Sequence, residues 1–291
     1  MNGILIIDKP AGITSHDVVS RVRRILKTKR VGHTGTLDPF ATGVMVILVG
    51  QATRLAQFLD KDKKEYEAAV KFGFETDTGD RTGTRREAEG TEKEGRVVTI
   101  TDVENVLTDF RGKIDQIPPM YSAKKVEGKK LYELARKGET IDRKPVRVRI
   151  SEIAVIGSGS TDSSSVLNQA GGIVPLRITC SAGTYIRALA EDIGRKIGVG
   201  AHLTELKRIR AGKFSLKQSV SLEKLGEMID PASALVPMEE AVSHLASIVL
   251  NEERTIKTKN GLSTRVRDIE FADGEPIQML DVGNKLIAIG T

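Results

Sequence analysis

One short segment of the chain concentrates residue types suited to contact with a ligand. It runs from Gly32 to Gly43 and reads Gly-His-Thr-Gly-Thr-Leu-Asp-Pro-Phe-Ala-Thr-Gly. Its three glycines let the backbone approach a ligand closely and adopt positive φ angles. Pro39 fixes its own φ and restricts Asp38 to an extended conformation, so a stiff loop carries the Asp38 carboxylate. Such a carboxylate could act as a nucleophile, although an Asp-Pro pair is also a common turn opener.

The chain offers few residues for metal or redox chemistry. Its single cysteine, Cys180, cannot form a disulfide within the chain and argues against a cysteine-based zinc site. The four histidines are scattered, with no pair at the spacing of metal ligands. The sequence has neither a Walker-type nor a dinucleotide-binding glycine loop. We therefore expect no metal ion and no bound cofactor.

Basic residues are concentrated in three segments, although the net charge is only +6. Residues 21–30 contain six basic side chains and no acidic one, and residues 111–149 contain twelve basic and five acidic ones. Residues 195–217 add seven basic against one acidic, whereas residues 75–94 hold seven acidic and four basic ones. Segregated charge is typical of a protein that binds a polyanion. A solvated helix face explains any one segment equally well, but three together favour nucleic acid.

Length and composition indicate a globular protein. The 291 residues suffice for one large domain and a small one. Hydrophobic residues make up 39% and charged residues 29%, as in soluble domains. The longest apolar run, Val44–Val49, is too short to span a membrane. The N-terminal residues lack the basic start of a secretory signal, so we expect a cytoplasmic protein without membrane contact.

Hydrophobic periodicity predicts the elements around the Gly32–Gly43 loop. Residues 3–8 form a β-favouring run, and Thr14–Asp17 has the spacing of a capping box before a helix. The apolar run 44–49 predicts a strand directly after the loop. Apolar and polar residues alternate over residues 65–74, which is the pattern of a half-buried strand.

The later part of the chain combines strands and helices. Residues 101–104 have capping-box spacing, and residues 111–138 form a long basic excursion of the kind that often has a function. Strands are predicted at residues 146–150 and 173–180, and a helix is predicted to start at Thr184. Because both hairpins and helices join the strands, the fold class is α+β with a mixed or antiparallel sheet.

Several motifs resemble those of one known family. The Gly32–Gly43 segment resembles the signature loop of the TruB family of tRNA pseudouridine synthases. Six further segments resemble family motifs in the same order, namely 8–12 (Asp-Lys-Pro-Ala-Gly), 64–66 (Lys-Glu-Tyr), 76–80 (Thr-Asp-Thr-Gly-Asp), 116–123 (Gln-Ile-Pro-Pro-Met-Tyr-Ser-Ala), 180–187 (Cys-Ser-Ala-Gly-Thr-Tyr-Ile-Arg) and 200–208. The matches extend over about residues 3–230, so the resemblance is specific.

The resemblance implies catalytic roles for three residues. Asp38 would be the nucleophile that attacks the sugar or the base ring of a flipped uridine. Arg187 would supply the positive charge that keeps Asp38 ionised in a site without water. Tyr66 would stack on the target base near C5 and help to remove the C5 proton. Tyr66 can also be a strand aromatic packed on the core, and the two roles are compatible.

Five further residues would contact the substrate. Tyr185 and Leu206 resemble residues that wall the uridine pocket, although Leu206 fits a core position equally well. His33 resembles the histidine that fills the gap left by the extruded bases. Asp80 would bond to an arginine or to pocket groups. Arg54 stands where some relatives have lysine, which keeps the charge but alters the donor geometry.

The resemblance also implies an architecture. The core would be a mixed, largely antiparallel sheet of the pseudouridine synthase type in residues 1–230, with an RNA-gripping thumb insertion at about residues 111–138. Residues 231–291 would form a linker and a small β-rich domain similar to the PUA RNA-binding domain. Short β-like pieces punctuated by glycine after about residue 245 fit that interpretation.

The implied substrate is the uridine at position 55 in the T-arm of tRNA. Its isomerisation includes no redox step or group transfer, so no cofactor is needed. We expect a monomer without an obligatory protein partner. Two alternatives remain open: an RNA-guided relative that works with partner proteins, and a tRNA chaperone in which binding rather than catalysis matters.

Overall fold

The computed structural model of the protein describes residues 1–60, 62–86, 97–126, 128–157, 172–263 and 274–291. Its strands are β1 Gly3–Lys9, β2 Val31–His33, β3 Thr42–Val49, β4 Lys64–Phe72, β5 Glu75–Thr76, β6 Arg85–Arg86, β7 Gly112–Gln116, β8 Lys125–Val126, β9 Lys129–Lys130, β10 Val146–Val155, β11 Ile173–Cys180, β12 Ala201–Ala211, β13 Phe214–Ser215, β14 Val220–Ser221, β15 Ala246–Val249, β16 Ile277–Leu280 and β17 Leu286–Gly290. Its α-helices are α1 Ser15–Ile25, α2 Ala56–Leu59, α3 Ile100–Leu107, α4 Leu131–Ala135, α5 Ile186–Ile197, α6 Leu222–Glu227, α7 Met238–Ala241 and α8 Glu252–Lys259.

A ten-stranded sheet forms the body of the protein. Eight strands lie in the order β14-β1-β3-β12-β4-β11-β10-β7, while β2 pairs with β3 and β13 pairs with β12. The β1–β14 and β3–β12 pairs are parallel, and the other pairs are antiparallel. The predicted α+β fold with a mixed, largely antiparallel sheet is therefore confirmed.

Strand β4 shows why this sheet presents a defined face to the helices. Lys64, Tyr66, Ala68, Val70 and Phe72 are buried, and the residues between them are partly exposed. The buried apolar side chains join a core cluster with residues of α3 and α5. Burial of each large apolar side chain contributes about 1.5–3 kcal/mol, and a slip of one residue would turn the whole set to the other face. This register fixes Tyr66 on the face that α5 covers.

The C-terminal part of the chain contributes a small sheet of its own. Strands β15, β16 and β17 pair in that order. Leu286 and Ile289 pack against a core cluster that contains Ile4. The domain boundaries 1–230 and 231–291, and the thumb at about 111–138, remain predictions. None of the helices in the described ranges is long and apolar enough to cross a membrane.

Three predictions about local structure were wrong. Helix α5 begins at Ile186 with Tyr185 as N-cap rather than at Thr184, whose hydroxyl donates to the Ser181 carbonyl in the preceding turn. Helix α3 begins at Ile100 with Thr99 as N-cap and Asp102 completing the capping box, rather than with the pattern at residues 101–104. The observed capping box lies two residues before the predicted one. Because the helix begins there, Ile100 can pack on the core. Helix α8 lies where only short β-like pieces were expected. The helix is polar and lacks an apolar stripe, so hydrophobic periodicity does not reveal it. The N-cap residue Asn251 is the feature of the sequence that indicates its start.

Strand β3 starts directly after the Asp38 loop and approaches β12 closely. Thr42 and Gly43 pair in parallel with Lys207 and Arg208. The φ angle of Gly43 is +100°, and a Cβ atom there would lie 2.2 Å from the Arg208 carbonyl oxygen. A side chain at this position would therefore push β3 and β12 apart.

We predict that Gly43→Ala lowers the free energy of unfolding by about 3 kcal/mol or more, because the new methyl group meets backbone that cannot move aside. Gly12→Ala is the matched control, since its φ is +85° but nothing lies within 4 Å of the new Cβ. The control should lose only about 1 kcal/mol from backbone strain. Denaturant unfolding of both variants measures the difference. Equal losses would contradict the proposed contact with Arg208.

Candidate active site

The loop that carries Asp38 is anchored to helix α1. The Leu37 amide donates to the Ser15 hydroxyl at 2.9 Å, and that hydroxyl donates back to the Leu37 carbonyl at 3.0 Å. The Ala41 amide donates to the Asp38 carbonyl at 3.1 Å and closes a tight turn around Pro39. These bonds fix the backbone on both sides of Asp38, as the restricted Asp-Pro pair predicts.

A buried lysine on strand β1 also holds the Asp38 loop in place. The Lys9 side chain is fully buried, and its Nζ donates to the carbonyls of Ala41 at 2.7 Å, Pro10 at 3.0 Å and Pro39 at 3.2 Å. Burial lowers the pKa of Lys9 to about 8, against the opposing influence of Asp38. Lys9 therefore holds the loop through backbone carbonyls and adds positive charge beneath it.

Arg187 binds the Asp38 carboxylate with both ends of its guanidinium fork. Its Nε donates to Oδ2 at 2.9 Å and its Nη2 donates to Oδ1 at 3.0 Å. The arginine side chain is 4% exposed, and the Asp38 side chain is 32% exposed. Nη1 also donates to the Thr78 carbonyl at 2.6 Å, and Nη2 to the Tyr121 carbonyl at 2.7 Å. Paired, charge-assisted bonds of this kind fix orientation as well as charge.

Asp80 orders the turn that presents the Thr78 carbonyl to Arg187. Asp80 is buried, and its Oδ1 accepts from the Thr82 amide at 2.9 Å and from the Thr78 hydroxyl at 3.1 Å. It does not line the cavity described below. The predicted bond from Asp80 to an arginine does not occur among the described contacts, since Asp80 acts through the turn instead.

A charged cluster fastens the same turn to helix α5. Glu75 is 1% exposed and accepts two bonds from Arg195, at 2.6 and 2.9 Å. Arg86 lies 3.0 Å from Glu75 and 3.4 Å from Glu191. Burial, reinforced by the charge of Glu75, raises the pKa of Glu191 to about 7 despite the two arginines. The cluster therefore sets the distance between the turn and the helix that carries Arg187.

Asp38 and Arg187 open into a cavity of about 250 Å³. Three other predicted pocket residues, Tyr66, Tyr185 and Leu206, line it too. Burial raises the pKa of Tyr66, and the neighbouring Arg208 opposes that shift only in part. The structure therefore gathers five of the predicted site residues, from four separate parts of the chain, around one cavity.

Three buried polar residues support this cavity although the sequence analysis gave them no role. Arg208 is 3% exposed, and its Nε donates to the Val44 carbonyl at 2.7 Å. Burial lowers the pKa of Lys64 to about 8. Gln116 clamps the Tyr185 backbone with bonds of 2.8 and 3.0 Å. The sequence could have indicated the two cations. Lys64 lies two residues before Tyr66, and Arg208 lies two residues after Leu206, so each shares a strand face with a predicted pocket residue.

Besides Asp80, two further predicted substrate residues do not line the cavity. His33 lies in β2, where its Nδ1 accepts from the Gly35 amide at 3.2 Å. Burial, helped by the charge of Arg208, lowers the pKa of His33, so the ring favours its neutral form. Arg54 is exposed in a 3₁₀ turn, Gly50–Leu55. Within the described part of the chain, no group of three or more His, Cys, Asp or Glu residues could hold a metal ion.

The fold is shared with chains in two solved structures of multicomponent complexes. A chain in the structure of a Cbf5–Nop10–Gar1 complex matches with a TM-score of 0.73 and 28% identity, covering 99% of this chain and 78% of that one. A chain in the structure of an H/ACA RNP bound to a substrate RNA containing 2′-deoxyuridine matches with a TM-score of 0.72 and 26% identity, covering 99% and 77%. Because both matches cover 99% of this chain, the whole fold is shared with these structures.

Sequence comparison specifies the family. Residues 23–186 match the N-terminal domain of TruB family pseudouridylate synthase, and residues 187–243 match the tRNA pseudouridylate synthase B C-terminal domain. The tRNA pseudouridine synthase B of Solibacter usitatus is 43% identical over 264 residues, which are 90% of this chain and 85% of that protein. That of Bacillus cytotoxicus is 42% identical over 293 residues, covering 99% and 92%. The chain belongs to the TruB family of pseudouridylate synthases.

The Glu191 cluster generates a prediction about pH. The raised pKa means that Glu191 stays protonated in the folded protein after it would ionise in the unfolded chain, so its stabilising effect is present below pH 4.5 and lost as pH rises through about 7. We predict that the free energy of unfolding of Glu191→Gln equals that of the wild type at pH 5. At pH 8 it should be higher than that of the wild type by about 2 kcal/mol. Denaturant unfolding at both pH values measures this.

The control is Glu223→Gln, the same change at an exposed position on helix α6. In this control, the change in the free energy of unfolding between pH 5 and pH 8 should be the same as in the wild type. A Glu191→Gln protein that is less stable than the wild type at pH 8 would mean that attraction to Arg86 outweighs burial and the repulsion from Glu75.

Proposed function

We propose that this protein converts the uridine at position 55 of tRNA into pseudouridine, with Asp38 as the nucleophile. The observation that carries the proposal is the Asp38 carboxylate, held by two bonds from a 4% exposed arginine at the wall of a cavity. The cavity volume of about 250 Å³ suits one flipped nucleoside and excludes a base pair. The curated relatives with 42–43% identity are named tRNA pseudouridine synthase B, which supports tRNA as the substrate.

The reaction breaks the bond between N1 and C1′ of the ribose, turns the uracil, and joins C5 to C1′ before a proton leaves C5. A carboxylate nucleophile divides such a barrier into smaller steps. Arg187 orients the Asp38 oxygens and stabilises their charge, while the partial exposure of Asp38 leaves it accessible from the cavity. Attack on the ribose and attack on the base ring both fit this arrangement.

Three side chains would hold the base during the reaction. Tyr66, Tyr185 and Leu206 provide aromatic and aliphatic walls around it. Since burial raises the pKa of Tyr66, its phenol is neutral at physiological pH. Tyr66 would therefore help to remove the C5 proton as part of a relay, passing on its own proton as it accepts another.

Residues outside the cavity would bind the T-arm. His33 lies five residues before Asp38, at the end of the strand that enters the loop, and this position supports a role in filling the gap that the flipped base leaves. Arg54 is exposed and free to contact a phosphate. The basic segment at about residues 111–138 would grip the backbone as a thumb, and a PUA-like domain in residues 231–291 would extend the RNA contact.

We further propose a monomer that works in the cytoplasm, where tRNA is, without a cofactor or an obligatory protein partner. The Cbf5 complexes of similar fold contain partner proteins, which is the observation that favours the RNA-guided alternative. This chain is 42–43% identical to the tRNA pseudouridine synthases B but only 26–28% identical to the matching chains of the Cbf5–Nop10–Gar1 and H/ACA RNP structures. Purified protein and a bare tRNA transcript, without guide or partner, separate these alternatives.

The test uses unmodified tRNA with tritium at uridine C5. Release of tritium to water, mapped to position 55, is the expected result. A protein that binds and remodels the transcript without releasing label would be a chaperone, and release that depends on added RNA and protein partners would indicate the guided alternative. Either outcome would overturn the proposal.

Asp38→Asn tests the nucleophile. The change keeps the shape of the side chain but removes its charge, so we predict that single-turnover tritium release falls by roughly a thousandfold or more. Affinity for the T-arm, measured by filter binding, should stay within about threefold of the wild type, since phosphate contacts dominate it. The control Asp109→Asn alters an exposed carboxylate and should keep full activity. Turnover at the wild-type rate in Asp38→Asn would refute the role.

Arg187→Lys tests the ion pair. An ammonium group cannot reproduce the fork that binds both oxygens of Asp38 together with the carbonyls of Thr78 and Tyr121. We predict that most turnover is lost while T-arm affinity stays nearly intact, as measured by the same two assays. A parallel loss of turnover and affinity would instead assign Arg187 to RNA binding.

A further inference from the structure

The cavity contains a buried hydroxyl group that no contact within the protein explains. Ser122 lines the cavity and is 5% exposed. Among the described residues that line the cavity, it is the one whose buried side-chain polar atom lacks a hydrogen-bond partner. A buried hydroxyl without a partner costs stability, so its presence needs an explanation outside the folding of the chain.

The backbone around Ser122 is firmly held. Its amide donates to the Met120 carbonyl at 2.9 Å, and its carbonyl accepts from the Tyr132 amide at 3.1 Å. The preceding carbonyl, that of Tyr121, accepts from Arg187 at 2.7 Å. The same arginine that orients Asp38 therefore fixes the position of Ser122.

The cations of the cavity are largely engaged with other groups. Arg187 makes four hydrogen bonds, two to Asp38 and two to backbone carbonyls. Arg208 donates to the carbonyls of Val44, Gly35 and Thr36, and Lys64 donates to those of Asp60 and Asp62. A uracil ring brings two carbonyl oxygens but a single N–H, so it needs donors that these cations do not readily offer.

We propose that the Ser122 hydroxyl donates a hydrogen bond to a carbonyl oxygen of the flipped uracil. When the bond between N1 and C1′ breaks, its electron pair leaves with the uracil and spreads over N1 and the two carbonyl oxygens. A donor at one of these oxygens stabilises the charge that develops there, which lowers the barrier more than it tightens binding. The same bond holds the detached base within the cavity while it turns.

The inference rests on the proposed function, and it predicts a separation of activity from stability. Ser122→Ala should slow single-turnover pseudouridine formation by roughly tenfold to a hundredfold, with T-arm affinity unchanged. Its melting temperature should equal or exceed that of the wild type, because no internal hydrogen bond is lost. Ser122→Cys fills the space with a weak donor and should be as slow as Ser122→Ala.

Ser151→Ala is the control, since Ser151 is exposed and its hydroxyl donates to the Thr179 carbonyl. It should react at the wild-type rate. A Ser122→Ala protein that reacts equally fast, or a Ser122→Cys protein with full activity, would overturn the inference.

The atom that Ser122 contacts can be found with modified T-arm substrates. Targets carrying 2-thiouridine or 4-thiouridine replace one carbonyl oxygen by sulfur, a poor acceptor, and 2′-deoxyuridine removes a ribose hydroxyl. We expect the ratio of wild-type to Ser122→Ala rates to shrink towards one on one of the thio substrates and to be unchanged on 2′-deoxyuridine. A ratio that shrinks on 2′-deoxyuridine alone would assign the hydroxyl to the ribose and overturn the inference. Wild-type protein without turnover on any T-arm would overturn the proposed function as well, whereas an active wild type matched by Ser122→Ala overturns the inference alone.

Discussion

The constraint on which the rest of this structure depends is the placement of an ionised carboxylate beside a buried guanidinium. Removing a charge from water is costly unless a partner and further hydrogen bonds compensate. Arg187 is compensated by Asp38 and by the carbonyls of Thr78 and Tyr121. Each partner belongs to a different segment, so the Asp38 loop, the turn after β5 and the segment after β7 must all reach one side chain. The site can form only when these three segments are in place.

The central sheet makes that convergence possible. Strand β12 pairs in parallel with β3, which follows the Asp38 loop, and in antiparallel fashion with β4, which carries Tyr66. The two registers place Tyr66, Leu206 and Arg208 on one face, next to the N-terminus of α5. Since a slip of one residue would reverse these side chains, the burial of the neighbouring apolar residues also fixes the geometry of the cavity wall.

Local patterns in the sequence were sufficient for most of the elements around the Asp38 loop. The Thr14–Asp17 capping box, the alternation around Tyr66 and the stiff Asp38-Pro39 pair all depend on residues close together in the chain, and the structure has each of them. The contacts between distant segments were not predictable in this way. The pairing of Ser15 with Leu37, the clamp of Gln116 on Tyr185 and the position of Ser122 depend on tertiary geometry that no periodicity encodes. The same holds for Asp80, whose bonds within its own turn no local pattern predicts.

The chemical nature of the buried partners has a consequence for RNA binding. Lys9, Lys64 and Arg208 are satisfied chiefly by backbone carbonyls, which accept hydrogen bonds but carry no net charge. In contrast, the cluster of Glu75 with Arg86 and Arg195 balances positive with negative side chains. The cavity therefore has more cations than carboxylates, since Lys64, Arg187 and Arg208 line it together with Asp38 and Asp60. The cluster that fastens the turn to α5 is nearly neutral by comparison. An excess of cations attracts a polyanion, so the residues that hold Asp38 in place also favour capture of the substrate.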